Sequence, residues 1–173
     1  MRFACVLIEH LPTRIEAPID CDRTTQAIVV LRAWDERVLD ATPIAITAGI
    51  VSGDSRRRVE QLCPQGTIVI ARESIYQERH DAIRAALLNF TNAVETQVLG
   101  EFFIEISGLV KAFRSEKELA DQLSIQVGNE AHLKPKIGLA SNKSTALQAA
   151  WQTDEAVSIM ANGGERKFLV VSL

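Results

Sequence analysis

The sequence predicts an α+β fold in which two long helices cover one face of a sheet. Apolar runs of strand length at residues 3–8, 102–106 and 136–140 supply the central strands of that sheet. Between these runs lie two segments whose apolar residues recur at helical spacing. This order is typical of a ferredoxin-like split βαβ arrangement, here with an insert after the first strand.

The insert is predicted to hold one strand and two short helices. The run AIVVL (27–31) is rich in β-branched residues, as strands are. Thr42 and Pro43 form a helix N-cap followed by proline at the first helical position. A second short helix is predicted to open at 53–55. The insert therefore spans residues 9–66.

The main domain is predicted to comprise residues 1–8 and 67–173, with TIVIA (67–71) as its second strand. Capping boxes at 74–77 and 115–118 predict the starts of the two long helices. The chain closes with two apolar runs that predict strands, AVSIM (156–160) and KFLVVS (167–172).

Composition and charge narrow the class of protein. The 173 residues are 47% hydrophobic and carry a net charge of −3, so no overall basic field drives binding to nucleic acid. Cys5, Cys21 and Cys63 show no CxxC spacing, which predicts reduced thiols and no zinc site. Neither a signal peptide nor an apolar stretch of roughly 18 residues is present, so we expect a cytoplasmic protein.

The stretch VLGEFFIEISG (98–108) places two carboxylates, Glu101 and Glu105, on an apolar run that predicts a buried strand. Polymerase-type palms use such a sheet, with carboxylates from two strands holding two divalent ions for an in-line attack on a nucleotide phosphate. Magnesium requires several oxygen ligands at one point, so one carboxylate cannot hold this site. Glu105 alternates with Ile104 and Ile106 and is predicted to face solvent.

Four segments carry a family resemblance through their order and spacing. They are LDATPIAITAGIVSG (39–53), residues 58–95, VLGEFFIEISG (98–108) and KIGLASNKSTALQAA (136–150). They resemble the fingers segment, the long palm helix, the metal-binding strand motif and the Asn-Lys motif of Y-family (translesion) DNA polymerases, the DinB/UmuC group. The resemblance implies a polymerase-type palm with a small fingers-like insert.

The departures from the family pattern concern the metal ligands. Leu7 stands where the resemblance places the metal-binding Asp of the first strand, and Gly100 replaces the Asp of the Asp-Glu pair. Glu101 keeps the Glu of that pair as a vestigial ligand, so no metal ion is expected here. Glu9 follows Leu7 by two residues on the same side of an ideal strand, which makes it the one candidate replacement.

The phosphate contacts that the resemblance implies are also altered. Pro43 and Ile46 stand at the fingers positions of a Tyr and an Arg that touch the triphosphate, and neither can donate to a phosphate. Lys143 keeps the Lys of the Asn-Lys motif and is the candidate phosphate contact, with an exposed lysine at a helix start as the alternative. Asn142 is predicted to cap that helix.

This pattern resembles the catalytically inactive, ImuB-like branch of the family, which implies an accessory role in translesion synthesis and DNA repair. The implied partners are a catalytic translesion polymerase, the sliding clamp and a recombinase. We expect DNA to be bound through thumb and little-finger domains that are absent from these 173 residues. No cofactor is expected, and Mg²⁺ only in the alternative of an active nucleotidyltransferase with a degenerate two-metal site. A palm-fold protein-interaction module is the third hypothesis.

The remaining candidate binding residues are arginines, tryptophans and histidines, and their neighbours in sequence indicate their roles. Arg56, Arg57 and Arg58 form the densest positive cluster, which either contacts a nucleic-acid backbone or is the solvated face of a short helix. No basic residues interleave with the tryptophans, so Trp34 and Trp151 are predicted to be packing residues. The histidines show no metal-ligand spacing and are predicted to be surface or structural; they are His10, His80 and His132.

Overall fold

The computed structural model describes residues 1–17, 22 and 25–160. The strands are β1 (Phe3–Leu7), β2 (Ile28–Leu31), β3 (Val38–Ala41), β4 (Thr67–Ile70), β5 (Glu101–Glu105), β6 (Lys136–Ala140) and β7 (Val157–Ile159). The helices are α1 (Leu11–Glu16), α2 (Pro43–Thr47), α3 (Arg56–Leu62), α4 (Glu73–Leu87), α5 (Glu116–Ala131) and α6 (Lys143–Gln152), with a 3₁₀ turn at Leu109–Ala112.

The chain divides into two compact units, and the fold class is the predicted α+β. The larger unit comprises Met1–Glu9 and the chain from Glu78 onward, and the smaller unit comprises His10–Gln77. Within the described ranges, no helix has both the length and the apolarity that crossing a membrane requires.

The larger unit is built on a four-stranded sheet with the order β5-β1-β6-β7. β1 is antiparallel to both β5 and β6, and β7 is parallel to β6. The three strands predicted for the centre of the sheet are therefore neighbours, as expected. Each of these strands is buried and is a nearly continuous apolar run, as is typical of a strand covered on both faces.

The long helices α4 and α5 lie on one face of this sheet. His80 of α4 stacks on Phe102 of β5 with ring centroids 4.4 Å apart. Arg79 of α4 donates to the carbonyl of Ala131 at the end of α5, over 2.6 Å. The Ser115 hydroxyl accepts from the Glu118 N–H at 3.1 Å, which confirms the predicted cap of α5.

Helix α6 covers the opposite face and approaches β6 very closely. A Cβ added at Gly138 would lie 2.0 Å from the Ala146 carbonyl oxygen and 2.6 Å from the Ala150 nitrogen. Only glycine fits in that strand position, because any side chain would push the helix backbone away. The apolar cluster under α6 consists of Cys5, Leu7, Phe103, Ala140, Ala146 and Ala150.

The smaller unit contains a three-stranded sheet with the order β3-β2-β4. β2 and β3 form an antiparallel hairpin, and β4 pairs parallel to β2. A core of buried apolar residues lies between this sheet and the short helices: Val29, Leu31, Val38, Ala41, Ala45, Ile50 and Val59.

The structure differs from the sequence-based elements at several points. β4 pairs with β2, whereas the predicted boundary placed residues 67–71 in the main domain. β3 was not predicted, because its burial depends on pairing with β2 and not on a long apolar run. The predicted cap at Ser74 is wrong, since α4 already begins at Glu73. AVSIM does contain β7, and KFLVVS lies outside the described residues.

Substituting Gly138 by alanine is expected to lower the free energy of unfolding by about 3 kcal/mol or more, because the new methyl group meets backbone atoms that cannot move aside. Urea unfolding followed by circular dichroism measures the change. Gly108→Ala is the matched control, since a Cβ there meets no heavy atom within 4 Å. Equal losses in the two variants would contradict the close contact.

Candidate functional site

Leu7 is the centre of a row of residues that crosses the main sheet. It pairs with Glu101 of β5 on one side and with Lys136 of β6 on the other. Its side chain is 1% exposed and belongs to the apolar cluster under α6. The row therefore holds one carboxylate, the aliphatic Leu7 at a position where the resemblance expects a metal ligand, and the cation of Lys136.

Glu101 is a lone, half-buried carboxylate. Across residues 1–17, 22 and 25–160, its side chain has no hydrogen-bond or ion-pair partner. Burial raises the pKa of Glu101 above its ordinary value, since the charged form loses water without gaining a partner. Burial, and to a lesser degree the charge of Glu101, also raises the pKa of the nearby Cys5 thiol, which therefore stays protonated at neutral pH.

Gly100 forms a fixed backbone turn beside Glu101. Its φ of 84° lies in the left-handed region that favours glycine. Its carbonyl accepts from the Ile8 N–H at 2.8 Å, and its N–H donates to Nδ1 of His80 at 3.1 Å. The position where the family pattern has an Asp is thus held by two backbone contacts that a glycine can make without strain.

His80 is the residue that sequence reasoning missed as part of this site. It is buried, and because Nδ1 accepts from Gly100, the proton lies on Nε2, which donates to the Thr96 hydroxyl at 3.0 Å. Burial lowers the pKa of His80, so the neutral ring that this network needs is favoured. A buried His one helical turn after Tyr76 on α4 was the available signal.

Glu9, the candidate replacement ligand, is already paired. Its Oε1 lies 2.9 Å from Nζ of Lys136, and both side chains are partly buried. A divalent cation would have to displace an ammonium group that is held in the same place. The ion pair therefore removes Glu9 from the set of available metal ligands.

Lys143 lies at the other end of the sheet from Glu101. Its Nζ is 2.5 Å from Oε2 of Glu95 and 5.6 Å from the ring centre of Phe3. Phe3 is four residues from Leu7 along β1, or about 13 Å in an extended strand. Among the described residues, the contacts of Lys143 are with Glu95 and Phe3, and none is with Glu101. The predicted cap at Asn142 is confirmed, since its side chain accepts from the Thr145 N–H at 2.8 Å.

A cleft of about 540 Å³ opens at this second end of the sheet. It is lined by Phe3, Glu105 and Lys143 among others, and by residues 88–93. Glu105 is exposed there, as predicted. The cleft therefore belongs to the opposite end of β1 and not to the row that crosses Leu7.

In the smaller unit, the two residues at the positions where the resemblance places triphosphate contacts are exposed but apolar. Pro43 begins α2 and Ile46 follows within the same helix, and both side chains face solvent. Neither side chain carries a hydrogen-bond donor, so neither can bind a triphosphate.

The arginine cluster 56–58 begins α3, where the Ser55 side chain caps the helix. Local carboxylates pair with two of the three arginines, whereas no carboxylate partner of Arg57 occurs in the part of the chain that the structure describes. The ion pairs are Arg56 with Glu60 (3.0 Å) and Glu36 (3.5 Å), and Arg58 with Asp54 (3.2 Å).

The prediction that the tryptophans are packing residues is wrong for Trp34. Trp34 is 74% exposed and Trp151 is 42% exposed. Trp34 follows β2 at the tip of a hairpin whose second strand was not predicted, so its exposure could not be inferred. The other two histidines are structural: His10 pairs with Asp40 at 2.7 Å, and His132 caps the end of α5 in the left-handed conformation.

The donor groups present do not fit a two-metal site. Searched over the described ranges, the chain shows no cluster of three or more His, Cys, Asp or Glu side chains that could hold a metal ion. This agrees with the geometry of the row, in which Glu101 alone is an unpaired carboxylate.

The fold and the order of these elements define a polymerase-type palm joined to a smaller fingers-like unit. The sequence pattern of the impB/mucB/samB family matches residues 17–150, and the chain belongs to that family. The resemblance to Y-family DNA polymerases of the DinB/UmuC group is thereby confirmed.

The chain is also similar to curated proteins named DNA polymerase IV. It is 32% identical to DNA polymerase IV of Pelotomaculum thermopropionicum over 65% of this chain and 28% of that protein. It is 27% identical to DNA polymerase IV of Pseudomonas syringae pv. tomato over 82% of this chain and 45% of that protein. The chain thus spans less than half the length of these two relatives.

The solved structures establish the fold. DinB from Sulfolobus solfataricus superposes with a TM-score of 0.81 at 19% identity, covering 95% of this chain and 49% of that one. A Y-family DNA polymerase chimera superposes with a TM-score of 0.83 at 18% identity, covering 100% of this chain and 52% of that one.

Substituting Glu101 by Gln is expected to remove a pH-dependent loss of stability. A carboxyl whose pKa is higher in the folded chain binds more protons when folded, so stability falls as the pH rises above about 4.5. The gain in unfolding free energy from Glu101→Gln should therefore be larger at about pH 7 than at about pH 4, measured by urea unfolding.

Glu105→Gln on the same strand is the matched control, because Glu105 is exposed and its substitution should give the same small difference at both pH values. A gain from Glu101→Gln that does not depend on pH would show that burial does not disfavour its charge.

Proposed function

We propose that this chain is the palm and fingers part of a non-catalytic, ImuB-like Y-family protein that serves as an accessory factor in translesion synthesis and DNA repair. The proposal rests on the row of residues Glu101, Leu7 and Lys136 that crosses the main sheet. Leu7 is sealed under α6 and the neighbouring Glu101 stands alone. Two-metal phosphoryl transfer needs several converging carboxylates, and this row supplies one.

The surroundings of the row support the same conclusion. Gly100 is held by His80 and Ile8 in a conformation that suits glycine. Glu9 is paired with Lys136. The active-nucleotidyltransferase alternative would require Glu9 to leave that ion pair and would still have only two carboxylates.

The smaller unit adds a second line of support. Pro43 and Ile46 are exposed at the positions where the resemblance places the triphosphate contacts, and neither can bind a phosphate oxygen. An incoming nucleotide would thus lack these two donors as well as the metal ions that neutralise its charge.

A palm-fold interaction module is a second candidate, favoured by the exposed apolar side chains of α2 and the residues after it. They are Ile44, Ile46 and Val51. An accessory role and an interaction module share this feature, because an adaptor has to bind other proteins. A catalytic translesion polymerase, the sliding clamp and a recombinase are the partners that the family resemblance suggests, and the thumb and little finger are the suggested DNA contacts.

Primer extension tests the proposal. The purified chain is expected to give no extension of primed DNA with Mg²⁺ or Mn²⁺, and Glu101→Ala is expected to change nothing in this assay. A full-length DNA polymerase IV from Pseudomonas syringae serves as the positive control for the primed template. Extension by the wild-type chain that Glu101→Ala abolishes would overturn the proposal.

Manganese titration gives a readout that does not depend on turnover. Because three converging carboxylates are absent, saturable Mn²⁺ binding at micromolar concentration is not expected in electron paramagnetic resonance titrations. Glu9→Gln and Glu101→Ala should leave the titration unchanged. Micromolar binding that either substitution removes would restore the nucleotidyltransferase alternative.

A further inference from the structure

The cleft at the end of the main sheet where Phe3 begins β1 has the size of a ligand site. Its volume of about 540 Å³ falls within the range of roughly 300–1,000 Å³ that is typical of ligand pockets. It is lined by the ends of β1 and β5, by residues 88–93 after α4, and by the start of α6. All of these residues belong to the larger unit, so the cleft is complete within it.

Phe3 and Glu105 stand side by side in this cleft. They are directly opposite each other in the register of β1 and β5, so their side chains lie on the same face of the sheet. The Ile106 N–H donates to the Arg2 carbonyl at 2.9 Å. Because hydrogen-bonded and non-hydrogen-bonded pairs alternate along an antiparallel ladder, Phe3 and Glu105 form a non-hydrogen-bonded pair, in which side chains lie closer together. A carboxylate is therefore held next to an aromatic ring.

Further apolar side chains extend the surface that Phe3 begins. Phe103 lies two residues before Glu105 on the same face and belongs to the cluster under α6 against which Phe3 packs. Phe90 is half-buried and Leu88 is 38% exposed, and both line the cleft. Accessible apolar surface beside a carboxylate suits a ligand that has both an apolar part and a positive charge.

The charges that line the cleft leave one carboxylate over. Among the described residues they are Glu95, Glu105 and Lys143. Lys143 is paired with Glu95 at 2.5 Å, and its ammonium lies 5.6 Å from the centre of the Phe3 ring, within reach of a cation–π interaction. The side chain of Glu105 has no hydrogen bond or ion pair with any described residue. The surplus charge of the cleft is therefore negative.

We propose that the cleft binds an arginine side chain of a partner protein, with the guanidinium paired to Glu105 and stacked on Phe3. A guanidinium suits these two groups better than an ammonium does, because it is planar, bonds both oxygens of a carboxylate and stacks on aromatic rings. Asn89 and Asn92 also line the cleft and are exposed. Their amides both donate and accept, as hydrogen bonding to an extended peptide backbone requires.

The surplus negative charge favours a protein over a nucleic acid as the ligand. Phosphates would be repelled by Glu105 and would find Lys143 already engaged by Glu95. Arginine is also one of the residues in which the binding energy of protein interfaces is concentrated. The inference goes beyond the proposed function and does not rest on the altered metal site, because Phe3 and Glu105 lie at the opposite end of β1 from Leu7.

A peptide titration of the nitrogen-15-labelled chain, followed by nuclear magnetic resonance, tests the proposal. The probe is a peptide of about nine residues, in which one arginine stands between two leucines and the rest are glycine and serine. We expect saturable shifts of the amide signals of Phe3, Thr91 and Lys143, with a Kd on the order of 1 mM. The same peptide with citrulline, which keeps the shape of arginine and lacks its charge, should bind about fivefold more weakly.

Variants separate the roles of the carboxylate, the ring and the lysine. Glu105→Gln is expected to weaken binding of the arginine peptide about fivefold, whereas Glu130→Gln, the same change at an exposed position on α5, should leave it unaltered. Phe3→Leu should weaken binding about threefold, as the loss of a cation–π contact implies. Lys143→Gln should strengthen it, because a like charge is removed and Glu95 is released. Thermal unfolding of each variant confirms that the fold is intact.

Three results would each overturn the proposal. They are equal affinity for the citrulline peptide, unchanged affinity in Glu105→Gln, and tighter binding of an oligothymidylate than of the peptide at the same signals. N-acetylarginine methylamide has the guanidinium without the flanking peptide and should bind more weakly than the probe; equal affinity would assign the cleft to a small guanidinium compound and contradict a protein ligand. None of these results bears on primer extension.

Discussion

The close approach of α6 to β6 at Gly138 is the contact on which the arrangement of the larger unit depends. Because that strand position has no side chain, the backbone at Ala146 and Ala150 lies directly on the sheet. The apolar cluster formed in this way extends along β1 to Leu7. A carboxylate at position 7 would have to leave water for a site lined with apolar atoms, which costs several kcal/mol when the charge is unpaired. The packing that stabilises the sheet and the chemistry of a metal site thus compete for the same residue.

The sheet was predictable from sequence because its strands are continuous apolar runs, which is how strands covered on both faces are encoded. The roles of Leu7 and Gly100 came from the family resemblance, and the structure places Leu7 opposite Glu101 and Gly100 directly before it. The ion pair of Glu9 with Lys136 was not predictable, since the two residues are 127 positions apart in sequence and only the register of β1 and β6 brings them together. The exposure of Trp34 was missed for a related reason, because β3 has no strong local signal.

Charge pairing within the chain bears on how such a protein can contact a polyanion. The net charge is −3, and the cations that sequence reasoning selected are mostly engaged by nearby carboxylates. Lys143 is held by Glu95, and Arg56 and Arg58 by residues within one turn of α3 or at the hairpin tip. Contact by bulk positive potential is therefore weak.

The left-handed turn at Gly100 is one of three features that make it costly to restore metal ligands by substitution. A side chain there would strain the backbone, a carboxylate at position 7 would be buried without a partner, and freeing Glu9 would leave Lys136 unpaired. Each of these changes, made alone, destabilises the fold and still leaves too few ligands for a pair of metal ions. Single mutations toward a complete set of carboxylates thus carry a cost with no functional return until several are combined. Restoring a two-metal site in this fold therefore requires several substitutions at once.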